Sequence, residues 1–215
     1  MPHVLDNTIR SVTVAADYEA LAAKVRHIPG WLTALEGFTL WHLAAYGPAV
    51  GHIVEIGSYA GLSTACLALG SSTAARERVI AVDRFSSTPD THPRVPAEAL
   101  LPGGLRRFME ANLEKAGIRE HVEIHEGDSA HIGRSWNAGP VRLLFIDGDH
   151  STSGITNDYD SWTPHLAPHG LLVFHDVGNS REPAVEAFYR SHVLGSGAWR
   201  ELLGVASLRV VQRVG

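Results

Sequence analysis

Two short polar segments, FIDGDHS at residues 145–151 and FHD at residues 174–176, each follow an apolar run that is typical of a buried strand. Neighbouring strands of a sheet bring such ends within a few ångströms of one another. Asp147, His175 and Asp176 could therefore share one divalent cation, because carboxylates and imidazoles are common metal ligands. Such a cation would make a bound substrate hydroxyl more acidic and orient it. The two segments predict a metal-assisted reaction.

A second segment, IVEIGSYAGLST, runs from Ile53 to Thr64 and combines one acid with two glycines. Gly57 and Gly61 predict a tight turn between a strand and a helix. The turn is not a dinucleotide fingerprint, which would need another glycine where Tyr59 stands, and no Gly-Lys-Ser/Thr sequence follows it as in a P-loop. A ligand that prefers a glycine turn near the negative charge of Glu55, such as a sulfonium ion with an amino-acid tail, fits the segment better.

Two further acids end the next predicted strands. Asp83 could accept hydrogen bonds from both hydroxyls of a ribose, as acids at this position do in nucleotide-binding α/β folds. Asp128 could accept a hydrogen bond from an adenine amino group, with Ser129 as a second polar contact. Each acid could instead cap the helix that follows it. The predicted cofactor contacts are Glu55, Gly57, Ser58, Tyr59, Gly61, Ser63, Asp83, Arg84, Asp128, Ser129 and Asp147.

These residues need a scaffold that brings strand ends together. Short apolar runs recur before each polar segment, and the stretches between them are long enough for crossover helices, which favours parallel strands. Two helix-like segments precede the first strand, and residues 201–214 fit an antiparallel hairpin at the sheet edge. We therefore predict a Rossmann-like α/β fold with a seven-stranded, mostly parallel sheet, an antiparallel C-terminal hairpin, helices on both faces and extra N-terminal helices. Ligands of such sheets bind outside the carboxyl ends of the strands.

The polar segments, taken in order, resemble those of a known family. VEIGSYAGLST, VIAVDRF, IHEGDS, LLFIDGDHS and LAPHGLLVFHD together are similar to the motifs of class I S-adenosylmethionine-dependent methyltransferases. More narrowly, they resemble the small bacterial group with an IDGDHSY-type fourth strand, which is related to metal-dependent O-methyltransferases. The resemblance covers about Ile28 to Val177. It implies that the methionine moiety lies near Glu55 and Gly57, the ribose at Asp83, and the adenine at Asp128 and Ser129.

The resemblance also implies roles for the metal donors and for a base. Metal-dependent relatives carry an acid at the position of Asp147 and carboxylate or amide ligands at those of His175 and Asp176, so His175 departs from their pattern. Nitrogen ligation would shift the preference from Mg²⁺ towards Mn²⁺, Fe²⁺ or Zn²⁺; alternatively, His175 is not a ligand and the site is degenerate. The relatives keep a basic side chain at the position of His150, which implies that this imidazole takes the substrate proton. A capping or solvated histidine is the alternative. The predicted catalytic residues are His150 and Asp147.

The length of the chain and its net charge predict the number of domains and disfavour some kinds of partner. The 215 residues predict a single methyltransferase domain, residues 1–215, with an N-terminal helical cap at 1–48. A Pro-, Ser- and Thr-rich segment at 85–104 either covers the substrate or is a plain surface loop. A net charge of −5 disfavours nucleic acid as a partner. No apolar run reaches the roughly 20 residues of a membrane span and the amino terminus lacks a signal-peptide pattern, so we expect no membrane partner and a cytoplasmic location. Trp31 and Trp41 could contribute to a homodimer surface.

The combined pattern predicts S-adenosylmethionine-dependent O-methylation of a small molecule of natural-product type, assisted by a divalent metal such as Mg²⁺ or Mn²⁺. Alignment of the acceptor oxygen, the methyl carbon and the sulfur would supply much of the rate. Two other functions would use the same residues: a metal-dependent hydroxylase or hydrolase, and a non-catalytic binding protein in which the strand-end acids cap helices. N-methylation is a further alternative, because nothing in residues 85–104 or in the N-terminal helices distinguishes the acceptor.

Overall fold

The computed structural model describes residues 16–86 and 97–214, in which helices alternate with strands. The first helix, α1, is described over residues 16–25. The later helices are α2 (Ala34–Tyr46), α3 (Leu62–Thr73), α4 (Gly104–Lys115), α5 (Ser129–Ser135), α6 (Thr152–Trp162) and α7 (Pro183–Phe188). The strands are β1 (His52–Ile56), β2 (Val79–Asp83), β3 (Val122–Glu126), β4 (Val141–Ile146), β5 (Leu166–Phe174), β6 (Trp199–Val205) and β7 (Leu208–Arg213).

The seven strands form one sheet in the order β3-β2-β1-β4-β5-β7-β6. β1 to β5 pair in parallel, whereas β7 is antiparallel to both β5 and β6. The predicted Rossmann-like sheet with an antiparallel C-terminal hairpin is therefore confirmed, as are the helices before β1. The direction of winding reverses between β1 and β4, so their carboxyl ends open the crevice in which ligands of such sheets bind.

Side chains of the central strands alternate between two apolar cores, one on each face of the sheet. Ile53 of β1 packs with residues of α2, α3 and α4, whereas Val54 packs with residues of α6 and α7. This period of two makes β1 and β4 apolar on both faces, as expected for strands covered by helices. Glu55 and Arg142 are charged residues at fully buried positions in these two strands.

Arg142 connects β4 to the carboxyl end of α2. Its side chain is fully buried and forms an ion pair with Glu77. It also donates hydrogen bonds to the main-chain oxygens of Leu43, at 3.3 Å, and Ala44. The last carbonyls of a helix have no partner within it. The carbonyl of Leu43 also accepts from the N–H of Gly47 at 2.8 Å, so the contribution of Arg142 matters most at Ala44. This contact fixes α2 against the sheet.

Parts of two predicted segments lie outside the described residues. The N-terminal cap at 1–48 is described from residue 16 onward, and the loop at 85–104 is described except for residues 87–96. The role of that loop and the single-domain boundaries stay predictions. In the described ranges, no helix combines the length and the hydrophobicity that crossing a bilayer requires.

The two tryptophans of the N-terminal segment differ in exposure. Trp41 is 5% exposed and stacks on Phe38, with ring centroids 5.3 Å apart, so it belongs to the core rather than to a dimer surface. Trp31 is 48% exposed. The homodimer stays a prediction, but Trp41 is too buried to contribute to its surface.

Candidate active site

A cavity of about 1320 Å³ opens at the carboxyl ends of the parallel strands. The segments after β1, β2, β3, β4 and β5 contribute to its wall, together with the segment before α2. The predicted site residues that line it are Gly57, Ser58, Tyr59, Ser63, Asp83, Arg84, Asp128, Ser129, Asp147, His150, His175 and Asp176. Glu55 and Gly61 do not line it. Residues predicted for the cofactor and for the metal thus share one cavity.

The turn after β1 packs main chain to main chain against the segment after β4. Gly57 has a φ of +86°, and a Cβ at this position would lie 2.1 Å from the main-chain oxygen of Asp147. The N–H of Gly57 donates to the carbonyl of Val82, and the N–H of Asp147 donates to that of Ile56, each at 2.9 Å. Only glycine fits position 57, because both its φ and its space exclude a side chain.

Gly57→Ala should destabilise the protein more than Gly117→Ala. Both glycines have a positive φ, +86° and +73°, which costs an alanine about 1 kcal/mol or more. At Gly117 an added Cβ meets no described atom within 4 Å, whereas at Gly57 it meets the backbone. We expect the clash to add at least about 2 kcal/mol. Urea unfolding of the two variants measures the difference, and equal losses would contradict the assignment.

Glu55 and Gly61 lie behind the cavity wall. Gly61 precedes α3 with a φ of +92°, and a Cβ there would be 3.0 Å from Met109. The fully buried carboxylate of Glu55 accepts hydrogen bonds from the hydroxyls of Ser58, at 2.9 Å, and Thr64. The structure therefore does not support the expected direct contact of Glu55 with a sulfonium ligand. The carboxylate instead ties the glycine turn to α3.

The stability of the protein should reflect the titration of Glu55. Burial raises the pKa of Glu55 from 4.5 to about 7, although the serine and threonine hydroxyls lower it. The folded state therefore keeps a proton that the unfolded state has lost. The resulting stabilisation is complete below about pH 4.5 and is lost as the pH rises to about 7. Relative to Glu55→Gln, the wild-type free energy of unfolding should fall by about 3 kcal/mol across this range. Chemical denaturation of both proteins tests this; parallel pH curves would refute it.

Asp83 joins the segments that follow β1 and β2. Its carboxylate accepts hydrogen bonds from the main-chain N–H groups of Tyr59, at 2.7 Å, and Phe85, at 2.6 Å. The residue is partly exposed and lines the cavity. Asp83 therefore fixes two walls of the cavity while it presents a carboxylate at the position predicted for a ribose.

Asp128 caps α5, which is the alternative that the sequence left open. One carboxylate oxygen accepts from the N–H of His131 at 2.8 Å, and the other pairs with Arg84. These two contacts lower the pKa of Asp128. Ser129 does not share them, since its hydroxyl donates to Asp158 of α6, a residue that the sequence pattern did not single out.

The predicted metal donors meet at the ends of β4 and β5. Donor atoms of Asp147, His175 and Asp176 all lie within 4.8 Å of one another. Nδ1 of His175 is 3.1 Å from Oδ1 of Asp147 and 3.3 Å from Oδ2 of Asp176. Asp176 has a φ of +60°, a conformation that costs energy in a non-glycine residue and is often found at functional sites. Two carboxylates and one imidazole form a donor set that suits Mn²⁺, Fe²⁺ or Zn²⁺.

In the absence of a metal, the positive charge between the two carboxylates belongs to His175. Burial alone would lower the pKa of His175, but the negative charge of Asp147 and the nearby carboxylates of Asp176 and Glu36 raise it to about 12. A metal at Nδ1 would replace this proton, because a ligating imidazole must be neutral.

Glu36 of α2 lies behind His175, and sequence reasoning missed it. Oε1 of Glu36 is 3.7 Å from Nε2 of His175 and accepts hydrogen bonds from the N–H and the hydroxyl of Ser207. Burial would raise the pKa of Glu36, but the nearby imidazole of His175 and hydrogen bonds from Thr33 and Ser207 lower it to about 2. Thr33 and Glu36 also form a capping box at the start of α2. Their spacing is a known signal for a helix start, and it gives no indication of a site.

His150 lies on the other side of the metal donors. Its Nε2 is 3.5 Å from both Oδ1 of Asp147 and Oδ2 of Asp176, and its Nδ1 is 3.4 Å from Oε2 of Glu182. Burial would lower the pKa of His150, but these three carboxylates raise it. Glu182, in the segment before α7, is a further residue that no sequence signal identified.

Most residues of the site, though not Glu36 or Glu182, lie in a part of the chain that matches a known family. Residues 54–177 match a family described as a methyltransferase domain. The chain belongs to this family. The resemblance drawn from the motifs is thereby confirmed, and the matched residues contain the glycine turn, Asp83 and the predicted metal donors.

Solved structures share the fold of this methyltransferase. The O-methyltransferase NovP is 14% identical with a TM-score of 0.66, over 95% of this chain and 99% of that chain. The O-methyltransferase TomG from Streptomyces achromogenes, involved in tomaymycin synthesis and solved with SAM, is 18% identical with a TM-score of 0.62, over 92% and 90%. An O-methyltransferase from Bacillus cereus in complex with SAH is 19% identical with a TM-score of 0.58, over 94% and 91%. At these identities the likeness shows the fold alone.

A relative in sequence is the uncharacterized protein y4gI of Sinorhizobium fredii. It is 25% identical over 198 residues, which cover 89% of this chain. The chain spans only 18% of the length of that relative.

Proposed function

We propose that this methyltransferase transfers a methyl group from S-adenosylmethionine to a hydroxyl oxygen of a small molecule, with the help of a divalent metal ion. The observation that carries the proposal is that one cavity contains both Asp83, beside the glycine turn, and the donor atoms of Asp147, His175 and Asp176. The TomG and Bacillus cereus enzymes, solved with SAM and with SAH, support this cofactor for the shared fold.

In this proposal the turn after β1 binds the methionine part of the cofactor. Ser58 and Ser63 line the cavity at this turn. The hydroxyl of Ser58 donates to Glu55, so its oxygen can serve the cofactor only as an acceptor. Asp83 lies at the next strand end, where its carboxylate can accept from the ribose hydroxyls. A methyl donor bound at this turn would lie beside the predicted metal donors, because the main chain of Gly57 packs against that of Asp147.

The residues present fit a divalent ion. Asp147, Asp176 and His175 would hold it, and Glu36 would accept from the second ring nitrogen of His175, as carboxylates behind metal-binding histidines commonly do. Nε2 of His175 is buried and has no hydrogen-bond partner among the described residues, which leaves it available for Glu36 after a small movement. Bound here, the ion would supply positive charge that acidifies the acceptor hydroxyl and fixes its direction.

His150 is suited to take the acceptor proton. Its Nε2 faces the metal donors and is buried without a hydrogen-bond partner in the described part of the chain. A metal ion held by Asp147 and Asp176 would offset the charge of the two carboxylates that face Nε2. Glu182 beside Nδ1 would then favour a proton on that nitrogen and leave Nε2 as the basic atom. The protein thus supplies alignment and a base.

A labelling experiment tests the proposal. The protein is incubated with methyl-tritiated S-adenosylmethionine and a panel of small hydroxyl compounds, namely catechol, phenol and a methyl glycoside. We expect a labelled methyl ether that disappears after exhaustive EDTA treatment and returns with Mn²⁺. Unlabelled oxidised or hydrolysed product would favour a metal-dependent hydroxylase or hydrolase, and turnover unchanged by EDTA would remove the metal from the proposal.

Glu36→Gln should weaken Mn²⁺ binding by about tenfold to a hundredfold, the usual effect of removing a carboxylate behind a metal-binding histidine. The matched control is Thr33→Ala, which breaks the same capping box and should cost about 1 kcal/mol of stability. This control leaves the contact between Glu36 and His175 in place, so its Mn²⁺ affinity should not change. Calorimetric titration with Mn²⁺ compares the proteins, and equal affinities would show that Glu36 acts only as a helix cap.

A further inference from the structure

The cavity has a cationic side chain, next to the predicted metal donors, that the proposed reaction does not use. Arg209 of β7 lines this part of the cavity. Its main chain lies opposite Phe174 of β5, the residue immediately before His175 and Asp176. In the sheet order, β7 lies on the far side of the metal donors from β1. Arg209 is therefore on the acceptor side of the cavity and not at the glycine turn that follows β1.

The side chain of Arg209 is held in one position. Its Nη1 donates to the main-chain carbonyls of Ala206, at 2.8 Å, and Leu208, at 2.9 Å. The stem crosses Gly204 of β6, where a Cβ would lie 3.4 Å from both Cδ and Nη1 of the arginine. Nη2 lies 4.0 Å from the position of a Cβ at Gly178, so this glycine leaves space beside the guanidinium. A donor group that is already fixed loses little side-chain freedom when a ligand binds.

The turn that holds Arg209 is joined to the segment of the metal donors. The carbonyl of Ser207 accepts from the N–H of Val177 at 3.0 Å. The N–H and the hydroxyl of Ser207 both donate to Glu36, which lies behind His175. These bonds fix the position of the guanidinium relative to the metal donors.

The guanidinium of Arg209 has no acidic partner in the described part of the chain. Its Nε and Nη2 donate to no residue that the structure describes, and no described carboxylate forms an ion pair with it. Glu186 of α7 accepts instead from Arg190, and Glu201 of β6 accepts from the hydroxyl of Tyr189. A fixed guanidinium with unused donors at a cavity wall matches an anionic group of a ligand.

Arg181 supplies a second, more exposed guanidinium on the same side of the cavity. Asn179 connects it to a metal donor: the amide N–H of Asn179 donates to Oδ1 of Asp176 at 2.7 Å, and its amide oxygen accepts from the main-chain N–H of Arg181 at 3.1 Å. Arg181 forms no ion pair with a carboxylate among the described residues. The acceptor side thus carries two cations that are not neutralised there.

We propose that the acceptor carries an anionic group, a carboxylate or a phosphate, which Arg209 binds while the acceptor hydroxyl lies at the metal donors. The proposal rests on the proposed function, because it names the class of acceptor for that same site. Arg209 is then a specificity-determining residue, and Arg181 adds positive charge beside it. The guanidinium has the forked geometry that carboxylates and phosphates accept from with two parallel hydrogen bonds.

Calorimetric binding of two matched pairs of compounds tests the proposal. The protein, in the presence of Mn²⁺ and S-adenosylhomocysteine, is titrated with 4-hydroxybenzoate and with 4-hydroxybenzamide, and separately with glucose 6-phosphate and with glucose. Within each pair only one member is an anion. We expect at least one anion to bind about tenfold or more tightly than its neutral partner, the usual effect of a hydrogen bond to a charged group. The pair that shows the preference distinguishes a carboxylate from a phosphate.

Variants locate the group that binds the anion. Arg209→Gln should reduce the preference to less than about threefold, whereas a preference caused by the anion binding Mn²⁺ would survive in this variant. The matched control is Arg200→Gln, which changes an exposed arginine of β6 away from the cavity and should keep the full preference. If Arg209→Gln does not fold, as judged by circular dichroism, Arg209→Lys takes its place. Lysine keeps the charge but not the forked donors, so the preference should fall several-fold.

The contrary results are distinct. Similar wild-type affinities within both pairs, no binding of either anion, or an unchanged preference in the Arg209 variant would each overturn the proposal. An equal loss of affinity for both members of a pair would mean that Arg209 only stabilises the turn between β6 and β7. In all these cases the proposed function stands as long as S-adenosylhomocysteine binds. If it does not bind, the proposed function fails, and the assignment of the acceptor fails with it.

Discussion

Asp147→Ala should weaken Mn²⁺ binding at least about a hundredfold and reduce methyl transfer to background, while the affinity for S-adenosylhomocysteine stays nearly unchanged. Asp147 supplies one of the three donor atoms and lies 3.1 Å from His175. Removal of a group behind a metal ligand already costs up to about a hundredfold in affinity, so loss of the ligand itself should cost more. The main chain of residue 147, which packs against Gly57, is unaltered by the substitution.

The control for this variant is Asp149→Ala, two residues along the same segment. Asp149 is exposed, and its carboxylate accepts from the N–H of Ser151 at 2.9 Å instead of joining the metal donors. It should keep wild-type affinity for Mn²⁺. Loss of S-adenosylhomocysteine binding in Asp147→Ala, with Mn²⁺ binding retained, would contradict the prediction that Asp147 binds the metal and not the cofactor. If the wild-type protein binds no Mn²⁺, the imidazolium of His175 supplies the positive charge and the metal part of the proposal is wrong.

Arg142→Met should lower the free energy of unfolding by about 2 to 4 kcal/mol, because it leaves the buried carbonyl of Ala44 without its donor and removes the partner of Glu77. The guanidinium is fully buried and bonds to Glu77 and to the carbonyls of Leu43 and Ala44. Methionine fills much of the same volume but donates no hydrogen bond, so the carbonyl of Ala44 would lose the guanidinium as its donor. The melting temperature should fall by roughly 10 °C for a chain of this size.

Arg190→Met is the matched control for the buried arginine. Arg190 forms an ion pair with Glu186 one helical turn away, but its side chain is 72% exposed. Such pairs contribute less than about 1 kcal/mol, so this variant should unfold close to wild type. Thermal melts of both variants decide the matter, and a small loss in Arg142→Met would mean that the apolar packing alone fixes α2.

The sheet and most of the site could be predicted because both depend on patterns that are local in the sequence. Apolar runs that end in polar residues specify parallel strands, and a parallel sheet necessarily brings those ends to one edge. The sequence alone therefore predicts that Asp83, Asp147 and Asp176 are site residues. The convergence of these three acids on one cavity follows from topology.

The residues that were missed depend on packing between distant segments. Glu36, Glu182 and Asp158 lie in α2, before α7 and within α6, and each reaches the cavity only through the way these elements dock. Glu55 shows the opposite error, since strand alternation turns it towards α3, where the hydroxyl of Thr64 meets it. Its position at a strand end predicts a residue close to the cavity, but its carboxylate lies behind the cavity wall and does not line it.

The contact between Gly57 and the carbonyl of Asp147 has a practical consequence for redesign. In the proposed reaction, the main chain of Gly57 and Asp147 separates the part of the cavity that binds the cofactor from the part that binds the acceptor. Exchanging side chains around the acceptor should therefore leave the position of the methyl group unchanged. Variants with new acceptor preferences can therefore be sought among the acceptor-facing side chains, provided that residue 57 stays glycine.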